Sequence, residues 1–335
     1  LFFKNYHLPL LKEQKLFAKD GVARFNGDIQ KLLLTLDTDL KGEQIPEGKY
    51  NALMDTDLKN QLNINDFNGQ LMGGRVGLKG VVNWHNHVSW DVKGRLEKLN
   101  PKDKTLPQVA QDFLPPNLDA NLSSSGSMEK GLSLKANLDF DKYESWAIKL
   151  NQAEAKDHKA QPMMLNIAWQ GIDRAVPYIG WLSSAEGYTD VTLKEGQQDI
   201  YVSTKVRPHE KTLLPTGQYN ARFDVKGDLL DVERFHYQAE KGSLTGQAKV
   251  KLPNEKQQLA WQAQLQAQNF NPQTVVATAP VNLLNGQIKA TGFAEPNQQI
   301  IQFDQIDLKG QLAQAGKTET VALKGKSTAA LIFHD

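Results

Sequence analysis

The sequence predicts an all-β protein: an elongated, repeat-built antiparallel sheet with short helical or looped connectors. Three observations carry this. From Val22 onward apolar and polar residues alternate with period two, the signature of strands with one dry and one wet face. A block also recurs. IPEGKYNALMDTDL at 45, continued by GGRVGLKGVVNW and HVSWDVKGRLEKL, is echoed by LPTGQYNARFDVKGDL at 214, continued by GSLTGQAKVKL and QLAWQAQLQAQNF. Finally, no amphipathic helix of useful length is available to cover a sheet.

The repeat is defined by landmarks in a fixed order. Pro46, Gly48, Tyr50, Asn51 and Ala52 match Pro215, Gly217, Tyr219, Asn220 and Ala221. Trp90 matches Trp261, and each Trp is followed eleven residues later by the Pro of an Asn-Pro pair. The Tyr-to-Trp spacing is 40 in one copy and 42 in the other, a difference that one longer hairpin loop absorbs. The repeat units are therefore 45–101 and 214–272, within one continuous segment spanning 1–335.

Taken in order, residues 1–30 allow either a strand pair or a short amphipathic helix, with Pro9 marking a break. Val76, Leu78, Val82 and Trp84 then share one parity, as do Val88, Trp90, Val92 and Leu96. Beyond Asn100-Pro101 the Pro-rich run KDKTLPQVAQDFLPPNL is not sheet interior. Alternation resumes with Leu134 and Leu138 in GLSLKANLDF, Trp146 and Ile148 in SWAIKL, and Leu165 and Trp169 in MLNIAW. A second break covers 171–187. The next strands carry Ile200 and Val202, then Phe223 and Val225, Leu244 and Val250, and Trp261 and Leu265. A third break leads into GQIKATGFA, with Ile288, and QQIIQFDQIDLKGQLA, with Phe303. The breaks read as connectors over 101–126, 171–187 and 272–286, each with an apolar Pro-bearing segment and a Gly-ended turn (Gly126, Gly187, Gly286). In all, the pattern supports about 20 strands of 7 to 10 residues.

Composition narrows the function classes. Net charge is +1, from 39 basic and 38 acidic residues that alternate instead of clustering, so no nucleic-acid groove is expected. Cysteine is absent, which removes disulfides, thiolate metal sites and thiol nucleophiles. No run approaches the roughly 18 apolar residues of a bilayer span. The chain opens at Leu1 without a signal-peptide pattern, which reads as a processed chain or a piece of a longer one.

A one-sided sheet must bury its dry face. Without a helical lid two solutions remain. The sheet closes on itself as a sandwich, barrel or solenoid filled by side chains, or it curls into an open trough whose apolar wall something else covers.

Candidate chemistry is thin. Gly310 to Thr320 ends in Gly316-Lys317-Thr318, like a phosphate-binding loop, but has five residues between its glycines where that loop needs four. It reads as a hairpin turn. His85 and His87 lack a third ligand of matching parity and read as solvated turn residues. The pairs Asp55/Asp57 and Asp139/Asp141 read as wet strand faces. Ser123 to Ser125 has no nucleophile elbow. No catalytic residue, metal or cofactor is expected, and the chain does not read as an enzyme.

Two features carry a family resemblance. One is the strand–Asn-Pro–connector–Gly–strand unit at 100–126 and 271–292; the other is WQGIDRAVPYIGWLSSAEG at 169–187. From about residue 22 onward the chain resembles the TamB family of AsmA-like proteins of diderm bacteria. The resemblance implies the trough solution: a taco-like apolar β-groove in the periplasm, part of an inner-membrane-anchored protein reaching the outer membrane. It implies a non-enzymatic conduit for phospholipid, with acyl chains along the groove. It also implies a TamA-like outer-membrane barrel as partner, through parts outside this piece. The groove wall would comprise Val76, Leu78, Val82, Trp90, Val92, Leu96, Leu134, Leu138, Trp146, Ile148, Leu165 and Trp169. It would continue through Phe223, Val225, Leu244, Val250, Trp261, Leu265, Ile288 and Phe303. Two other readings remain: a scaffold offering strand edges to outer-membrane proteins, and a closed solenoid or sandwich adhesin.

Overall fold

The computed structural model describes residues 2–8, 16–42, 46–102, 108–127, 129, 131–140, 143–154, 161–176, 180–212, 214–253, 258–275, 278–295, 298–314 and 317–332. Packing groups the chain into two compact units. One is Leu1–Gln170 with Val176–Tyr178; the other is Gly171–Ala175 with Ile179–Asp335.

The strands of the first unit are β1 Phe2–Leu8, β2 Leu16–Gly27, β3 Leu32–Gly42, β4 Gly48–Thr56 and β5 Gln61–Leu71. They continue as β6 Gly74–Asn83, β7 Ser89–Leu99, β8 Leu118–Ser127, β9 Gly131–Phe140 and β10 Glu144–Ala153. A six-residue helix α1, Gln108–Phe113, lies between β7 and β8. The leading part of β11, Met163–Val176, pairs with β10 through Met163 to Gln170. The ambiguous N-terminal stretch is thus a strand pair, β1 with β2. Pro9 lies outside the described residues.

The second unit holds β12 Gly180–Lys194, β13 Gln197–Val206, β14 Gly217–Lys226, β15 Leu229–Gln238 and β16 Ser243–Lys251. It ends with β17 Ala260–Phe270, a 3-10 turn Pro272–Thr274, β18 Val281–Glu295, β19 Gln298–Gln314 and β20 Lys317–Ile332. In both units each strand's antiparallel registers run to its neighbours in sequence, and neither unit closes into a barrel.

The duplicated block is four strands in each copy, β4–β7 and β14–β17, and the copies share irregularities as well as strands. The β5–β6 register shifts between Ile64 and Phe67, and β15–β16 shifts between Val232 and Phe235. The β7–β8 register shifts between Leu96 and Leu99, and β17–β18 between Ala267 and Phe270. At the latter bulge Lys98 and Asn269 adopt left-handed backbone, with φ of 55° and 48°. Their N–H groups leave the ladder and donate to the next strand's side chain, to Asp119 Oδ1 at 2.6 Å and Asn285 Oδ1 at 2.8 Å. A bulge bends its strand and increases local twist, so equivalent bulges impose equivalent curvature on each copy.

The Asn-Pro pairs end the block by one mechanism. The Lys102 N–H donates to Asn100 Oδ1 at 3.1 Å, and the Gln273 N–H donates to Asn271 Oδ1 at 3.0 Å. Proline follows, where its lost N–H costs nothing. The block's opening is pinned by tyrosine: Tyr50 Oη donates to the Pro46 carbonyl at 2.5 Å and Tyr219 Oη to the Pro215 carbonyl at 2.6 Å. Burial raises the pKa of both hydroxyls, which keeps them protonated as donors. Tyr219→Phe should lower stability by about 0.5–1.5 kcal/mol, the net worth of one hydrogen bond. Tyr50→Phe should cost a similar amount, both read from urea midpoints.

The connectors are shorter than expected. The first ends by residue 117 and the third by residue 280, because β8 and β18 are already strands at Leu118 and Val281. Within 171–187 strand continues to Val176 and restarts at Gly180, leaving 177–179 outside the described residues. Period two explains this: Ile172 is buried while Asp173 and Ala175 point to solvent. Gly126 and Gly286 are not turn residues. They lie in strand interiors opposite Trp90 and Ala267.

Candidate functional site

Directly opposed residues of an antiparallel pair lie on one face, so the registers assign every strand position. In the first unit Val76, Leu78 and Val82 on β6 face Leu96, Gly94 and Trp90 on β7, with Val92 beside Gly80. β8 carries the face onward: Leu134 lies across from Ser124 and Leu138 from Ala120. Leu138 then meets Trp146, Ile148 meets Ile167, Leu150 meets Leu165 and Trp146 meets Trp169. All twelve groove candidates of this unit therefore share one face. The opposite face presents Lys135, Asn137, Asp139 and Lys149, all exposed.

The second unit repeats this. Phe223 and Val225 face Val232 and Leu230, and Leu230 faces Val250. Val250 faces Trp261, Leu244 faces Ala267, Leu265 faces Ile288, and Ala290 faces Phe303. The eight candidates of this unit also share one face.

Strand patterning did not find every member. Leu34, Leu36, Met54, Ile64 and Phe67 lie on the first unit's apolar face through β3–β6. Ile64 and Phe67 are three residues apart, and only the bulge between them places both inward. Trp84 and Val88, expected on strands, stand in the β6–β7 turn, 37% and 44% exposed. The alternating pattern runs on past the strand ends at Asn83 and Ser89.

Neither face is filled. Of the twenty candidates Leu138 is buried, at 7%, Leu265 is 43% exposed, and the others are half-buried. The chain exposes 22149 Å². Two separate compact units of half its mass would together expose only about 16,500 Å².

Fully buried side chains gather at one row of strand ends. Leu99, Leu118 and Phe140 do so in the first unit, joined by Leu114 from the connector; Tyr237, Ala239 and Phe270 do so in the second. Glycine also shapes the wall. A Cβ on Gly292 would lie 2.3 Å from Trp261 Cε2, and one on Gly126 would lie 3.0 Å from Trp90 Cζ2. In both copies the Trp stands directly opposite a glycine of the next strand.

Polar groups on the face are used internally. Trp90 Nε1 donates to Ser124 Oγ at 2.9 Å and Trp146 Nε1 to Glu144 Oε1 at 2.9 Å. Thr38 Oγ1 donates to the Asp20 carbonyl at 2.9 Å, and Ser184 Oγ lies 2.8 Å from Thr204 Oγ1. These bonds leave an apolar wall with few directional contacts for a bound molecule. Such a wall suits hydrocarbon, at about 0.8 kcal/mol per CH₂ buried.

The other motifs settle as structure. Lys317 and Thr318 pair with Gln314 and Ala313 in the β19–β20 hairpin; Gly316 lies outside the described residues. His87 Nδ1 lies 2.6 Å from Glu129 Oε1 at the surface. No group of three metal-ligating side chains occurs among the described residues. Asp55 accepts from Asn63 and Asn65, and these bonds lower its pKa. Asp141 lies outside the described residues.

Asp57 is a turn residue, not a strand one. Its carboxylate accepts from the Asn60 N–H at 2.7 Å, the Asn60 side-chain amide at 2.6 Å and the Gln61 N–H at 3.0 Å. The Asn60 backbone bond leads in bringing its pKa down to about 2. Because the folded value is depressed, this turn's contribution is complete above the unfolded value of about 3.9 and is lost as pH falls toward 2. A carboxyl NMR titration should place the Asp57 midpoint well below those of exposed aspartates.

Two comparisons find no match for the chain, one with curated proteins and one with solved structures. A family model does match: TamB, N-terminal domain, over residues 3–155 and 196–331. One matched stretch falls in each unit, and the 169–187 segment lies between them. Among the described residues no helix is long and apolar enough to cross a membrane.

Proposed function

The chain belongs to the TamB family, and on that footing we propose that its apolar faces form a non-enzymatic conduit for phospholipid across the periplasm. Membership is consistent with transport of lipid or protein there. The observation supporting lipid is the twenty-residue wall, on one face within each unit and left half-exposed by the protein's own side chains. Acyl chains cover it in this reading, and the scarcity of free polar groups lets a chain slide instead of docking at one place. Phospholipid acyl chains and, through parts outside this piece, a TamA-like outer-membrane barrel are the partners we assign.

The test is fluorescent-phospholipid exchange between vesicles mediated by the 335-residue chain. Exchange that rises with protein concentration and is competed by unlabelled phospholipid supports the reading. No exchange, with crosslinks instead to nascent outer-membrane strands, selects the scaffold.

A further inference from the structure

Within each unit the two rows of strand ends differ. One row carries the long connectors, β7–β8 and β17–β18 among them, and the buried side chains. Leu71, Leu99, Leu118 and Phe140 are 9%, 5%, 7% and 1% exposed; Val206, Tyr237 and Phe270 are 2%, 2% and 4%. Connectors are fastened here by Leu114 in the buried cluster, by buried Pro101, and by the Tyr50, Tyr219 and Tyr237 hydroxyls on connector carbonyls.

The opposite row carries the turns 57–60, 84–88, 195–196 and 227–228, together with the longer 154–162 and 252–259 connections. Polar residues alternate there with bare apolar ones. Ile29 is 66% exposed, Leu58 52%, Trp84 37% and Val88 44% in the first unit, and Leu252 is 40% exposed in the second; on the connector rows Tyr143 is 83% exposed and Val275 55%. Single exposed apolar residues are ordinary. The first unit's series of four along one row, bordering a half-exposed apolar face, makes a lip.

From the buried connector row in both units we infer that each unit takes up lipid over the opposite row and is shut along its connector row; this rests on the lipid reading above. An amphiphile must keep its head group in water while its chain slides onto the wall. The opposite row offers both conditions in the first unit, with Asp57, Asn60 and Asn86 beside the apolar lip. Entry over the connector row would require the anchored connectors to detach.

The chain has no cysteine, so single-cysteine variants of the whole protein can carry a small fluorophore. Asn86→Cys and Glu195→Cys report the opposite rows, Tyr143→Cys and Lys241→Cys the connector rows, and Ile148→Cys the wall. Phospholipid with a nitroxide on the head group should quench the first two several-fold more than the connector-row pair. Tail-labelled phospholipid should quench Ile148→Cys. Equal or stronger head-group quenching at Tyr143 and Lys241 overturns the sidedness and leaves the lipid reading intact. Absence of tail quenching at Ile148 overturns both.

Discussion

Glutamate at both Leu134 and Ile148 should stop lipid exchange while the β-sheet signature in circular dichroism persists. The two side chains lie on the apolar face of adjacent strands, β9 and β10, and both are half-buried. Their partial exposure lets carboxylates reach water, so the strands tolerate them. An acyl chain crossing that point does not. Forfeiting contact for four methylenes costs about 3 kcal/mol, roughly a hundredfold in rate. Glutamine at both sites should fall between glutamate and wild type. Exchange near the wild-type rate in the double glutamate variant would remove these residues from the path.

Phe140→Ala should have the largest effect on stability. The ring is 1% exposed and packs edge-on to Trp146 at a centroid distance of 6.1 Å. It belongs to the buried cluster that includes Leu99, Leu118 and Leu138. Truncation leaves a cavity and should cost about 3–5 kcal/mol, visible as a large fall in the urea midpoint. Leu265→Ala, at a side chain 43% exposed, should cost about 1 kcal/mol or less. The contrast separates the two roles of apolar residues here. Those at the connector row hold the sheet together, whereas those on the mid-face present surface.

Much of this was legible in the sequence because period two is a strong signal over long strands. The alternation in GLSLKANLDF alone places Leu134 and Leu138 on one side. The Pro-x-Gly-x-Tyr and Trp…Asn-Pro landmarks marked two copies of one unit, since each landmark has a fixed local role as a tyrosine pin, a Trp opposite glycine or an Asn cap. What the sequence hid lies at the bulges. Leu96 and Leu99, Ile64 and Phe67, and Ala267 and Phe270 are each three apart yet share a face, which strict alternation forbids. The glycines misled in the opposite sense. Gly126 and Gly286 read as turn ends, but both lie within strands, where a Cβ would meet the next strand's backbone, Gly131 O at 2.6 Å and Asp307 O at 2.0 Å. The polar run around Ile172 read as a connector because its Pro and Gly outweighed a short alternating pattern.

Native mass spectrometry of the chain purified without detergent tests the lipid conduit most directly. Populations carrying added masses of whole phospholipids are expected, released by mild activation and reduced by the Leu134→Glu, Ile148→Glu pair. A single lipid-free mass, unchanged after incubation with phospholipid vesicles, would contradict a wall built for acyl chains.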